Sequence, residues 1–180
     1  MKTEPQRKDR VMKTPQEMEA LLERRPVGYL GLTTESGPYV VPVNYLFFEG
    51  SIYLHSGPKG RKIEALQADS HVCFLVNDIG PQVLWERGCG ISQIYESVIC
   101  FGRAEFVEDL AEKGRILEEM IKKFVPADHT SALLEEQNIR RTAIIKIQID
   151  WMTGKANRIS SLHTILPNRF GGAEKGPHVR

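Results

Sequence analysis

Within residues 52–66, IYLHSGPKGRKIEAL, an imidazole (His55), a hydroxyl (Ser56) and three cations (Lys59, Arg61 and Lys62) fall close together. A strand-like run breaks at Gly57-Pro58, and a helix-like run starts near Gly60, with Ile63 and Leu66 three apart on one face. The cations therefore stand at a helix N-terminus, whose free N–H groups and positive dipole end favour anions. Either an anion such as a phosphate lies among them, or they are solvated at a cost of roughly 0.3 kcal/mol each. A phosphate would suit the chemistry, since arginine grips it with two parallel hydrogen bonds and lysine acts as a point charge. The stretch is no nucleotide-triphosphate loop, because G-x-x-x-x-G-K-[ST] is absent.

A second group is Pro42-Val43-Asn44. Proline inside a strand removes a ladder donor, so it belongs at an edge or a bulge, where neighbouring backbone groups are free to meet a ligand. Asn44 adds an amide that both donates and accepts. A flat heteroaromatic ring with polar edges would suit such a site; an edge strand with an exposed asparagine is the plain alternative. Other chemistry is weakly represented. His71, His129, His163 and His178 are scattered, and no catalytic residue or metal cluster can be assigned. Cys89 lies between two glycines as in a turn, and the acid pairs Glu118-Glu119 and Glu135-Glu136 fit solvated helix faces.

The elements that must position these groups are mostly strands. Thr14-Pro15-Gln16-Glu17 has the form of a capping box and predicts a helix over 15–25, ended by Pro26. Runs at 27–34, 38–48 and 51–56, with turns at Glu35-Ser36-Gly37 and Glu49-Gly50, predict a β-meander. A short helix at 60–68 and a strand at 70–77 follow. Residues 80–93 give no clear pattern. The run 94–108 predicts a long strand bent at Gly102, 109–124 an amphipathic helix, and roughly 129–138 a second short one. Residues 142–152 alternate strictly, with Ala143, Ile145, Ile147, Ile149 and Trp151 on one face. About six antiparallel strands result, and closing them into a small barrel would remove the edges. Residues 159–180 are expected to be an irregular tail.

The 180 residues suffice for one domain. Lys+Arg 24 against Asp+Glu 23 gives net +1, so no general case exists for a nucleic-acid partner or an anionic membrane. No apolar run reaches the ~20 residues of a membrane helix. The charged N-terminal stretch has no apolar core, and three cysteines lack C-x-x-C spacing, so a reducing, cytoplasmic location is expected.

The order GYLGLT, PYVVPVNYLFFEGSIYLHSGPKGRKIEAL, YESVICFGRAEFVED and WMTGKANR resembles the FMN-binding split-barrel superfamily of pyridoxamine 5′-phosphate oxidase. Within it, K-D-R at 8–10 and Y-x-S-V-x-x-F-G-R-A at 95–104 resemble the nitroimidazole-resistance (Nim) type. The resemblance implies a mainly β fold with flanking helices, a six-stranded antiparallel split β-barrel over residues 1–158. It implies a homodimer with FMN at the subunit interface. Pro42, Val43 and Asn44 would line the isoalloxazine ring, His55 and Ser56 would flank ribityl and phosphate, and Arg61 and Lys62, assisted by Lys59, would hold the phosphate. Tyr95 and Ser97 would come from the partner subunit, and Trp151 would cover the rim. No counterpart exists for the Arg- and His-rich C-terminal segment of the oxidase. The implied activity is an FMN-dependent reductase acting on a small aromatic acceptor, nitroimidazole-like or quinone-like. The alternative is a non-catalytic carrier or sensor of flavin or haem.

Overall fold

Thr14 opens helix α1 (Pro15–Arg24): its hydroxyl accepts from the Glu17 amide at 3.3 Å, and the Glu17 carboxylate accepts from the Lys13 amide at 2.9 Å. Met18, Leu21 and Leu22 form the buried face of α1. The structure, a computed structural model, describes residues 7–85, 90–126, 134–158 and 163–166. After α1 come β1 (Val27–Thr34), β2 (Gly37–Asn44), β3 (Leu46–Phe48), β4 (Ser51–Ser56) and helix α2 (Arg61–Ala68). Then follow β5 (His71–Trp85), β6 (Ile91–Val107), α3 (Leu110–Phe124), α4 (Glu136–Arg141), β7 (Ala143–Asn157) and β8 (His163–Ile165).

The strands form one antiparallel sheet in the order β2-β1-β5-β6-β7-β4-β3, with β8 added to β5. The expected class, mainly β with flanking helices and antiparallel strands, is the one found. The sheet curls until β2 contacts β4, yet no ladder joins its two ends, so the barrel is split rather than closed.

Among the described residues eight strands stand where six were expected, for two physical reasons. The run 38–48 is not one strand: Tyr45 interrupts it, fully buried, with its hydroxyl donating to the Leu22 carbonyl at 2.7 Å. The second reason is β8, which forms within the segment expected to be an irregular tail and pairs with Val83–Trp85. Of residues 80–93, opaque in sequence, 80–85 and 91–93 extend the β5–β6 pairing through an irregularity between Ile79 and Gln82, and 86–89 lie outside the described residues. Part of the helix expected over 129–138 lies outside the described residues; α4 is the helix found there.

The alternation of β7 breaks where the sequence shows no break. Phe101 pairs with Trp151 but Gly102 pairs with Ile149, leaving Asp150 as an extra residue in a bulge. Ile145, Ile147 and Ile149 pack on the core, and after the bulge Met152 does. Trp151 is thereby moved to the opposite face, away from the isoleucines it was expected to join. Gly102 is required at this point, because a methyl group there would overlap the Gln148 carbonyl oxygen.

The main core joins Leu21 and Leu22 of α1, Leu30, Ile52, Leu54, Phe74, Val98 and Ile145 to Ile63 and Leu66 of α2. A second cluster lies under α3, where Leu46, Tyr53 and Ile144 meet Ile116 and Met120. Lys123 ties α3 down by donating to the carbonyls of Arg25 (3.0 Å) and Tyr45 (3.1 Å), over the rings of Tyr45 and Phe124. Burial lowers its pKa from 10.5 to about 8. Below pH 8 the ammonium is present in both folded and unfolded chains. Between about 8 and 10.5 the folded chain loses the proton first, so unfolding takes up a proton and stability rises with pH. After discounting for its half exposure to water, the gain should be about 1 kcal/mol, read as a higher urea midpoint at pH 9.5 than at pH 7.5. Lys123→Met should remove that slope.

Candidate functional site

β4 ends at Ser56, and the chain turns through residues 57–60 into α2. Gly60 makes the turn possible: its φ of 111° lies where side-chain-bearing residues are strained. No side chain caps α2, so its first amides are without side-chain partners. Lys62 is half-buried beside them, and burial lowers its pKa below the ordinary lysine value. Among the described residues it has neither a carboxylate nor a hydrogen-bond partner. Lys59 and His55 are exposed and Ser56 is half-buried, none with a side-chain partner among the described residues.

Arg61 is placed differently. Its guanidinium donates to Ser36 Oγ at 2.7 Å and Thr34 Oγ1 at 3.4 Å, and its Cζ lies 4.6 Å from the Tyr39 ring centroid. These contacts hold α2 to the β1–β2 turn, next to a cleft lined by Thr34, Glu35, Ser36, Arg61 and Glu64. Thr34, Ser36 and Tyr39 carry no signal in the sequence beyond turn and strand chemistry.

Pro42 lies on the edge strand β2, as the missing donor requires. Pro42 and Asn44 are exposed, while Val43 turns its side chain onto the core, so only its backbone can meet a ligand. The remaining site residues lie on the face of the sheet opposite the core. Strand register sets that face in rows: Pro42–Tyr29–Leu75–Ile99–Thr153, then Val40–Gly31–Cys73–Phe101–Trp151, then Asn77–Ser97–Lys155. Tyr95 stands between Ile79 and Asn157. Trp151 stacks on Phe101, ring centroids 4.2 Å apart and planes at 12°. Within the chain the structure therefore forms two groups. Ser56, Lys59 and Lys62 cluster at the α2 terminus, and Tyr95, Ser97 and Trp151 lie out on the apolar face.

The middle of that face is apolar, with Lys155 in the row on one side and exposed His71 and Arg103 in the row on the other. Val40 is 63% exposed and Val27 and Tyr29 each 39%, on one side of half-buried Leu75, Ile99 and Phe101.

The sequence model described as pyridoxamine 5′-phosphate oxidase matches residues 14–156. Among solved structures, the chain is similar to a candidate 5-nitroimidazole antibiotic resistance protein from Bacteroides thetaiotaomicron, with 32% identity and a TM-score of 0.71 over 81% of this chain and 85% of that one. The flavocytochrome Anf3 from Azotobacter vinelandii shares the fold with a TM-score of 0.79 at 18% identity, covering 98% of this chain and 88% of that one. An FAD- and haem-binding protein from Mycobacterium smegmatis does so with a TM-score of 0.75 at 16% identity, over 95% and 91% of the two chains. No curated protein matches the chain.

Proposed function

Because the chain belongs to the pyridoxamine 5′-phosphate oxidase family, we propose that it is an FMN-binding flavoprotein that reduces a small aromatic acceptor, nitroimidazole-like or quinone-like. The observation that carries this is Lys62, a half-buried cation without a partner among the described residues, at the uncapped terminus of α2. A cofactor phosphate fits that place: it supplies the missing negative charge and accepts from the free helix amides. Flavin, when bound, supplies the electron transfer.

The chain's own residues bind and orient it. Lys62 and the α2 amides hold the phosphate, with Ser56 offering a hydroxyl and Lys59 a more distant charge. Arg61, anchored on Ser36 and Tyr39, fixes the helix that presents these groups. Pro42 and Asn44, with the backbone of Val43, border the ring along the β2 edge. The apolar face supports a homodimer, in which Tyr95, Ser97 and Trp151 of a second copy complete the site and exclude water. Acceptors that stack on a flat ring suit a slot with aromatic and apolar walls. Among the described residues the cysteines, Cys73 and Cys100, are free thiols, which accords with a reducing cytoplasm.

The test is the absorbance spectrum of the purified protein, with chromatography of the cofactor released by acid. Broad flavin bands and released FMN are expected. Released FAD would correct the cofactor, and a sharp Soret band without flavin would replace it by haem. Oxidation of NAD(P)H dependent on an added nitroaromatic or quinone tests the reductase activity. A flavin-loaded protein without turnover on any acceptor would be a carrier instead.

A further inference from the structure

We propose that the cleft bordered by α2, α3 and α4 is a second anion site, one that takes a phosphate group. The cleft, of about 270 Å³, is lined by Lys113 from the start of α3, Arg140 and Arg141 from the end of α4, Thr142, and Gln67 of α2, with Glu108 as the one carboxylate among the described residues. Lys113 is the observation that points to a ligand. It is 9% exposed, yet its ammonium has no ion-pair or hydrogen-bond partner among the described residues. The side chain is packed into the cleft wall, and a lysine held there brings a positive charge that is normally matched by an opposite one.

The neighbours show which charges are available. Arg140 is held by Glu136 at 2.5 Å along α4, whereas Arg141 is exposed with no carboxylate partner among the described residues. Among the described residues, three cations thus converge from two helices on a space lined by one acid. An arginine fork beside a lysine point charge is suited to phosphate. A cleft of about 270 Å³ has room for phosphate itself or a small phosphate monoester. This cleft adjoins the α2 terminus, since Pro58 and Ile63 line it, but neither Lys59 nor Lys62 does, and Arg61 and Glu64 line the separate cleft by the β1–β2 turn.

The experiment is calorimetric titration of the purified protein with inorganic phosphate and, separately, with glycerol phosphate, at constant ionic strength set with chloride. Wild type, Lys62→Met, Lys113→Met and Arg141→Gln are compared. Saturable binding that survives Lys62→Met and weakens at least roughly tenfold in Lys113→Met and Arg141→Gln is expected. Arg141 is exposed, so its variant should fold even if Lys113→Met does not. Tighter binding of glycerol phosphate would identify a phosphorylated small molecule as the ligand, and tighter binding of inorganic phosphate the free ion; either supports the site. Absence of saturable binding in Lys62→Met protein overturns it. Binding lost only in Lys62→Met would place the anion at the α2 terminus, overturning this site while leaving the flavin assignment standing. Equal affinity in Arg141→Gln and wild type also overturns it.

Discussion

Lys62→Met should weaken flavin retention roughly 10- to 100-fold in Kd, the loss of one charge-assisted contact of about 1.5–3 kcal/mol. Methionine keeps an apolar stem of similar length and deletes only the ammonium. In the flavin-free protein that ammonium is desolvated and without a partner among the described residues. The same substitution should therefore raise the Tm of flavin-free protein while lowering affinity for FMN. A purely structural lysine would not give those opposite signs. The pH dependence adds a second check. Burial lowers the Lys62 pKa in the free protein, and a bound phosphate would raise it again, so binding takes up a proton at alkaline pH. Wild-type affinity should fall as pH rises through that range, and Lys62→Met affinity should change much less. Arg61→Gln should cost less affinity than Lys62→Met, because the guanidinium is already engaged by Ser36 and Tyr39. Flavin fluorescence titrations at several pH values measure all of this. Unchanged affinity in Lys62→Met would remove the phosphate from α2.

The parts of this site that are legible in the sequence are those written in local chemistry. Gly57-Pro58 and Gly60 mark the end of β4 and the start of α2, so residue order alone places the cations at 59–62 at a helix terminus. Pro42 likewise announces an edge strand. The parts that are not legible depend on pairings distant in the chain. Nothing near Trp151 shows that Asp150 is extruded, because the cause lies across the ladder, where Gly102 lets the Gln148 carbonyl approach. A period of two carried through residue 151 therefore puts the indole on the wrong face. Tyr45 looks like one more strand residue until Leu22, from a different element, accepts its hydroxyl. Arg61 is similar: its type and position suggest a phosphate ligand, but its partners Thr34 and Ser36 sit in a turn 25 or more residues earlier.

Leu75→Glu should convert a dimer into a monomer and, with it, abolish flavin retention. Leu75 is the middle of the row Pro42–Tyr29–Leu75–Ile99–Thr153, so a carboxylate there would be buried at the centre of any partner pressed on this face. Burying an unpaired charge costs several kcal/mol, enough to dissociate an interface of ordinary size. In the isolated chain Leu75 is only half-buried, so the same glutamate keeps access to water and the fold should survive. Val40→Glu, at a position 63% exposed near the sheet edge, should weaken association less and provides a milder variant if Leu75→Glu folds poorly. Sedimentation gives the association state and absorbance the flavin content of the same samples. If Tyr95, Ser97 and Trp151 reach the flavin of the other copy, colour and dimer must be lost together. Lys62→Met, by contrast, should lose colour and remain dimeric. A monomeric Leu75→Glu protein that still retains flavin would place the whole site within one chain, with Pro42, Asn44, Ser56 and Lys62 sufficient and the residues of the outer face serving another contact.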